Sequence, residues 1–144
     1  MKSMIFSVLL IVSSAVYAVS GNIQTDDSLS ATTAEKGRVS RSNFTSHVEN
    51  HEPVDSLLSL SNQQSVVYYF SELLFLKGQT VIHRWEYGGK VIADVKFTAG
   101  GDRWRVWSKK TLSPSSLGEW RVSILDQTGR VLATSNLLYT QASQ

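Results

Sequence analysis

The sequence predicts an all-β protein, an immunoglobulin-like antiparallel β-sandwich of about seven strands, with a small open β-barrel as the alternative. From residue 41 onward, apolar and polar residues tend to alternate, which is the period of half-buried strands. The alternating runs are short, are bounded by turn-forming residues, and number seven. The chain contains no cysteine, so the domain must be held together by its core alone.

The N-terminus has the pattern of a secretory signal peptide. Lys2 precedes an apolar stretch over residues 4–16, and Val16-Tyr17-Ala18 ends it with small residues at the positions that a signal peptidase reads. This stretch is shorter than the roughly 20 residues that a membrane span needs. We therefore predict a signal peptide at 1–18, cleavage after Ala18, and no transmembrane span in the mature protein; an uncleaved anchor or a buried helix is the alternative. The protein is expected to be exported, and so periplasmic or secreted.

The next segment, residues 19–40, is rich in Ser, Thr, Asp and Gly and poor in aromatic residues. Such a composition buries too little apolar surface to offset the entropy of ordering, so we predict a flexible spacer. The β-sandwich domain is expected at 41–140, followed by a tail at 141–144. One domain of ordinary size fits this length, and two do not.

Charge is distributed unevenly along the chain, although the net charge is only +2. Residues 80–121 contain eight Lys and Arg against four acids, whereas residues 19–79 contain four against seven. The basic half suits an anionic partner, such as an envelope glycan, a lipid head group or a periplasmic protein. The low net charge argues against nucleic acid.

The predicted strands and the segment between the first two can be assigned individually. Pro53 to Leu60 could form one or two helical turns, since Pro stands early in it. The strand VVYYFSELLFL is apolar on both faces, which predicts a central strand or one covered by another element. The seven runs are 41–48, 65–76, 80–87, 90–98, 103–112, 118–126 and 130–139.

The segment HRWEYGGKVIADVKF reads as a β-hairpin whose loop length is open to two interpretations. A two-residue loop at 88–89 would set Trp85 opposite Ile92 and mix apolar with charged side chains on one face. A three-residue loop at 87–89 would set Trp85 opposite Val91 and separate the faces better. We therefore predict the longer loop, with Trp85 inward and the charges outward.

His83 lies on the inward face of this hairpin. We expect a neutral ring that makes a hydrogen bond at each nitrogen, to backbone or to a neighbouring hydroxyl. The sequence has no Gly-x-Ser-x-Gly motif or cysteine to serve as its nucleophile partner, and no pair of acids spaced for acid–base catalysis. These observations favour a protein that is not an enzyme and uses no cofactor.

The strand DRWRVWSKK is the candidate ligand-binding surface. If Trp104 and Val106 face the core, the alternate residues form an outer row in which a tryptophan stands between cations. Such a tryptophan can stack on a sugar or aromatic ring while the cations hold an anion. Alternatively, the cationic side chains simply cover the indole, or it packs under a loop or the 53–60 segment. The candidate residues are Arg103, Arg105, Trp107 and Lys109, with Arg84, Lys90 and Lys96 as possible auxiliaries.

A second, competing hypothesis is a metal site. His47, Glu49 and His51 are alternate residues, which share one face of a strand. In an extended strand, positions four apart are about 13 Å from each other, too far for one zinc ion unless the chain bends. A bend near Pro53 would allow it. The alternative function is then a metal-binding protein or a metal-dependent enzyme.

The phrases HRWEYGGK, GGDRWRVWS and GEWRVSILDQTG resemble the bacterial domain-of-unknown-function 2914 family. The resemblance extends over about residues 41–139. It implies an all-β domain in bacterial proteins that are exported or anchored to a membrane, with no established activity. It therefore transfers no catalytic residue to this chain.

Taken together, the residues predict an exported, non-enzymatic binding or interaction module of the bacterial cell envelope. Its partner would be an anionic glycan, a lipid head group or an envelope protein, the last of these joined by strand addition. A purely structural accessory domain is the remaining alternative.

Overall fold

The computed structural model describes residues 34–143. The predicted signal peptide, most of the predicted spacer and the last residue of the tail lie outside the described residues. The described part contains no helix, and therefore none that is long and apolar enough to cross a membrane. Its strands are β1 (Arg38–Thr45), β2 (Val48–Glu49), β3 (Glu52–Pro53), β4 (Ser59–Ser61), β5 (Val66–Leu74), β6 (Thr80–Tyr87), β7 (Lys90–Thr98), β8 (Arg103–Thr111), β9 (Gly118–Leu125) and β10 (Val131–Thr140).

Two sheets pack face to face, which confirms the predicted all-β sandwich. One sheet has the strand order β1-β5-β8, and the other has the order β4-β10-β9-β6-β7. All pairs are antiparallel except β4 with β10, which is parallel. The alternating residues on the two inner faces form one core, whose largest members are Trp85, Tyr69, Tyr139, Phe44 and Leu73.

All seven predicted runs contain a strand, but the segment between the first two was predicted wrongly. It forms no helix, and instead contains the β2–β3 hairpin and the short strand β4. Within β4, Ser59 is exposed, Leu60 is buried and Ser61 is half-buried, so burial alternates from one residue to the next as it does in a strand. Pairing with the end of β10 supplies the backbone hydrogen bonds that a helix would have made internally.

The β6–β7 hairpin has neither of the two registers that the sequence suggested. Its loop is the two-residue Gly88-Gly89 turn, in which both glycines have positive φ, and Tyr87 pairs with Lys90. Ile92 is an extra residue in β7, so that Trp85 pairs with Ala93. This β-bulge corrects the phase after the short turn, and Trp85 faces inward as predicted while the charges face outward.

Strand β5 is central in the three-stranded sheet and is also covered on its outer face, so both parts of the prediction for VVYYFSELLFL are confirmed. The cover is the β2–β3 hairpin together with Arg41. His47 packs edge-on against Tyr68 at 5.5 Å between ring centroids, and Arg41 lies 5.0 Å from the Phe70 ring. Phe70 is fully buried as a result, although it points away from the core.

Candidate functional site

A groove of about 400 Å³ follows the outer edge of β8. Neighbouring residues of a strand point to opposite faces of a sheet, so a groove that touches both Trp104 and Trp107 must pass around the edge between those faces. β8 is the last strand of its sheet, and this edge has no neighbouring strand within residues 34–143. The lining residues are His51, Arg103, Trp104, Arg105 and Trp107.

The two tryptophans of β8 line this groove from different sides. Trp107 lies on the outer face, as predicted, but it is only half-exposed because His51 packs edge-on against it at 5.6 Å between ring centroids. Trp107 therefore packs under the β2–β3 hairpin, which is close to the predicted alternative that it packs under a loop or the 53–60 segment. Val106 and Ser108 are buried as expected, whereas Trp104 is 41% exposed. Its ring lies against Gly100, where a Cβ atom would come within 2.8 Å of the indole.

Arg103 and Arg105 are not free cations, because both hold the buried carboxylate of Glu72. Arg103 Nε and Arg105 Nε donate to Glu72 Oε2 at 3.0 and 2.8 Å, and Ser40 Oγ donates to Oε1 at 2.8 Å. Arg41 completes the set at 3.4 Å. Burial alone would raise the pKa of Glu72, but the hydrogen bonds from Arg105, Ser40, Arg103 and Arg41 outweigh it and lower that pKa to about 2.

Glu52 from the hairpin adds a second acid to this cluster. Its carboxylate pairs with Arg105 at 2.9 Å and also with Arg41, so the hairpin is tied to the sheet by charge as well as by packing. Three arginines against two glutamates leave one positive charge. The arginine fork at Arg103 is still 62% exposed and borders the groove. The cluster can therefore present positive charge to a ligand from fixed positions.

The cluster is the main feature that the sequence reasoning missed. One signal for it exists in the sequence: Glu72 is a lone acid inside an otherwise apolar strand, and a buried carboxylate requires cationic partners. Pairing of β1, β5 and β8 supplies those partners, since Arg41, Glu72 and Arg105 stand in one row across the sheet.

The remaining predicted ligand-binding residues fall into two groups. Lys109 lies on the exposed outer row of β8, and within residues 34–143 no acid pairs with it. Arg84 and Lys96 instead lie on the outer face of the five-stranded sheet, and Lys90 follows the β6–β7 turn. Arg84 already forms an ion pair with Asp94, to which it donates two hydrogen bonds of 2.9 Å. The predicted auxiliaries are thus not brought together with the row on β8.

The three residues of the metal hypothesis do not converge either. The chain does bend, since Asn50 and His51 have positive φ in the turn between β2 and β3. However, His47 turns to Tyr68 and His51 to Trp107. Among the described residues, no group of three His, Asp or Glu side chains, including one with Glu49, is placed to hold a metal ion.

His83 is fully buried between the sheets, where hydroxyl groups satisfy both of its ring nitrogens. Nε2 is 2.7 Å from Ser71 Oγ and Nδ1 is 2.9 Å from Ser108 Oγ, which also accepts the indole N–H of Trp85 at 3.0 Å. Burial lowers the pKa of His83 from 6.5 to about 3, so the ring is neutral at physiological pH. The prediction of a satisfied, neutral core histidine is confirmed.

Residues 78–137 match the family model described as "Protein of unknown function (DUF2914)". The match begins at the turn before β6 and ends within β10, so it includes β8 and four of the five residues that line the groove, but not His51. It confirms the family that the sequence motifs indicated, over a shorter range than those motifs suggested. No curated protein matches the chain.

Proposed function

We propose that this member of the domain-of-unknown-function 2914 family is an exported, non-enzymatic binding module of the bacterial cell envelope, and that it binds an anionic partner in the groove along β8. Export is supported by the signal-peptide pattern of residues 1–18. The observation that carries the binding proposal is the combination, in one groove, of two partly exposed tryptophans and fixed arginines.

The chemistry of the groove suits recognition of an anion attached to a flat or apolar group. Indole rings offer large rigid contact area at low entropic cost, and arginine offers paired N–H donors. Glu72 and Glu52 hold two of these arginines in place before any ligand arrives, which reduces the ordering cost of binding. Lys109 adds a cation that no acid among the described residues neutralises.

The first test is a titration of intrinsic tryptophan fluorescence in the purified full chain. The probes are polygalacturonate, phosphatidylglycerol vesicles and an acidic peptide. We expect at least one probe to give a saturable change that added salt weakens. Arg105→Ala and Trp107→Ala should each weaken binding by about tenfold or more, as removal of interface Arg and Trp anchors commonly does.

Matched controls separate the groove from general surface charge. Lys109→Ala removes a cation beside the groove, and Lys96→Ala removes one from the outer face of the opposite sheet. We expect the first change to weaken binding and the second to leave it unaltered. Equal effects of the two changes, or no response of the folded protein to any probe, would overturn the proposal.

A further inference from the structure

We infer that the groove binds an extended acidic peptide, which adds to β8 as a fourth strand of the three-stranded sheet. This inference rests on the proposed function and specifies its ligand. The partner would alternate acidic and apolar residues, with acids on the side of Arg103, Arg105 and Lys109 and apolar side chains on the side of Trp104.

The first support is the direction of the backbone groups on β8. The β5–β8 ladder is regular, and the bonds at its two ends run from Phe75 N–H to Asp102 O and from Leu112 N–H to Ser65 O. Hydrogen-bonded pairs alternate along an antiparallel ladder, so the even-numbered residues of β8 bond to β5. The odd-numbered residues point N–H and C=O toward the open edge: Arg103, Arg105, Trp107, Lys109 and Thr111.

The second support is that, as far as residues 34–143 show, the other edges of the two sheets are protected and this one is not. β4 has only three residues, and β7 is interrupted by the bulge at Ile92. β1 has an irregularity at Ser40, and its edge is met by Leu57, whose N–H donates to Phe44 O. β8 has nine residues in unbroken register. Long, regular, open edges are the sites where a further strand can pair.

The third support is that the space beside this edge has room for side chains on both faces. The main groove reaches from Trp107 on the outer face to Trp104 on the inner face. A second depression of about 240 Å³ lies between β8 and Phe97 of β7. An added strand would direct alternate side chains to these two sides, cationic on one and largely apolar on the other.

Charge selects an acidic partner over a second copy of this chain. β8 contains Arg103, Arg105, Lys109 and Lys110 and no acid. In an antiparallel pair of two β8 strands centred on Trp107, Arg105 would stand opposite Lys109 of the other copy. Like charges placed directly opposite each other destabilise a strand pair, whereas glutamates there would be attracted.

The test uses the full chain and a fluorescein-labelled peptide of ten residues that alternates five glutamates with five valines, measured by fluorescence anisotropy. Two N-methylated derivatives of this peptide are isomers of each other, one methylated at every valine and the other at every glutamate. Only alternate N–H groups of an added strand face β8. We therefore expect one isomer to bind about as well as the parent peptide and the other to bind at least about tenfold more weakly.

Two further comparisons test the order of residues in the peptide and the backbone N–H groups at the open edge of β8. A peptide of the same composition with glutamates and valines in separate blocks should bind about tenfold more weakly than the alternating peptide. Lys109→Pro and Lys109→Ala lose the same charge, but only the proline also removes an N–H from the open edge. Lys109→Pro should therefore bind the alternating peptide more weakly than Lys109→Ala.

The outcomes distinguish this inference from the proposed function. Equal binding of the parent peptide and both N-methylated isomers would overturn strand addition and leave a groove that binds by charge. Binding of polygalacturonate or phosphatidylglycerol vesicles without any binding of the peptide would also overturn strand addition, and would leave the proposed function standing. If the folded protein binds neither peptide, polysaccharide nor vesicles, both proposals fail.

Discussion

β7 and β8 are the edge strands on the same side of the sandwich, one in each sheet, and each has nine residues. They differ in whether the outer edge is protected from pairing with another strand. β7 contains the bulge at Ile92 and directs Asp94 and Lys96 outward, where Asp94 is held by Arg84. β8 is regular throughout, and its edge borders a groove with two partly exposed tryptophans.

The difference indicates which strand is available to a partner. Bulges and outward charges are the means by which proteins protect an edge strand from pairing. β7 has both, whereas β8 has cations but keeps its backbone ladder intact. A cationic, regular edge resists pairing with itself and remains open to an acidic strand.

The largest expected effect distinguishes the bonded edge of β8 from its open edge. Val106→Pro removes an N–H that bonds to β5 and should reduce the free energy of unfolding by about 3 kcal/mol or more. Lys109→Pro removes an N–H that faces solvent and should cost about 1 kcal/mol or less. Urea unfolding of both variants, with Val106→Ala to account for the lost side chain, measures this. Equal costs at positions 106 and 109 would mean that the bonded edge is assigned wrongly.

The next effect concerns the link between β8 and the opposite sheet, where His83 joins Ser108 to Ser71. The pKa of His83 is about 3 when folded and 6.5 in the unfolded reference, so stability is complete above pH 6.5 and falls as the pH falls toward 3. The loss should be about 1.4 kcal/mol per pH unit, hence about 2 kcal/mol between pH 6.5 and 5.

His83→Gln is the matched variant, because an amide can still bond to both serines and does not titrate. The free energy of unfolding of this variant should be nearly constant from pH 6.5 to 5, even if it differs from that of the parent protein at pH 7. Urea unfolding at several pH values gives the comparison. A slope in the variant as steep as in the parent protein would assign the acid sensitivity to another group.

The sequence allowed prediction of what burial dictates. One face of β6 must be apolar, so Trp85 and His83 could be placed inward from alternation alone, and both are fully buried. The register of the hairpin could not be predicted in the same way. A two-residue loop followed by the bulge at Ile92 directs Trp85 and His83 inward, as a three-residue loop without a bulge would, and Ile92 itself is 42% exposed. Burial therefore does not distinguish a longer loop from a short loop with a bulge.

The candidate site was predicted only in part, because its arrangement depends on strand order. Alternation placed Arg103, Arg105 and Trp107 on one outer face, but it contains no information on what covers that face. Glu72 lies 31 and 33 residues from the two arginines in sequence, and only the pairing of β5 with β8 brings them together. Trp104 is exposed for a related reason, since it lies near the start of an edge strand, where the opposite sheet does not fully cover it.

The smallest effects compare the ion cluster beside β8 with the ion pair on β7. Glu72→Gln removes the charge of a buried carboxylate that holds three arginines, and should cost about 1.5 to 3 kcal/mol, the usual range for hydrogen bonds to a charged group. Asp94→Asn breaks a largely solvent-exposed pair with Arg84 and should cost less than about 1 kcal/mol. Urea unfolding at pH 7 measures both changes, and repetition at high salt should reduce the second cost more than the first. The pKa of Glu72 is about 2 in the folded protein and 4.5 in the unfolded reference. Its contribution to the free energy of unfolding is therefore complete above pH 4.5 and is lost as the pH falls toward 2. If Glu72→Gln costs no more than Asp94→Asn, the arginines of the groove are not held in place by Glu72, and the groove is not preorganised for its anion.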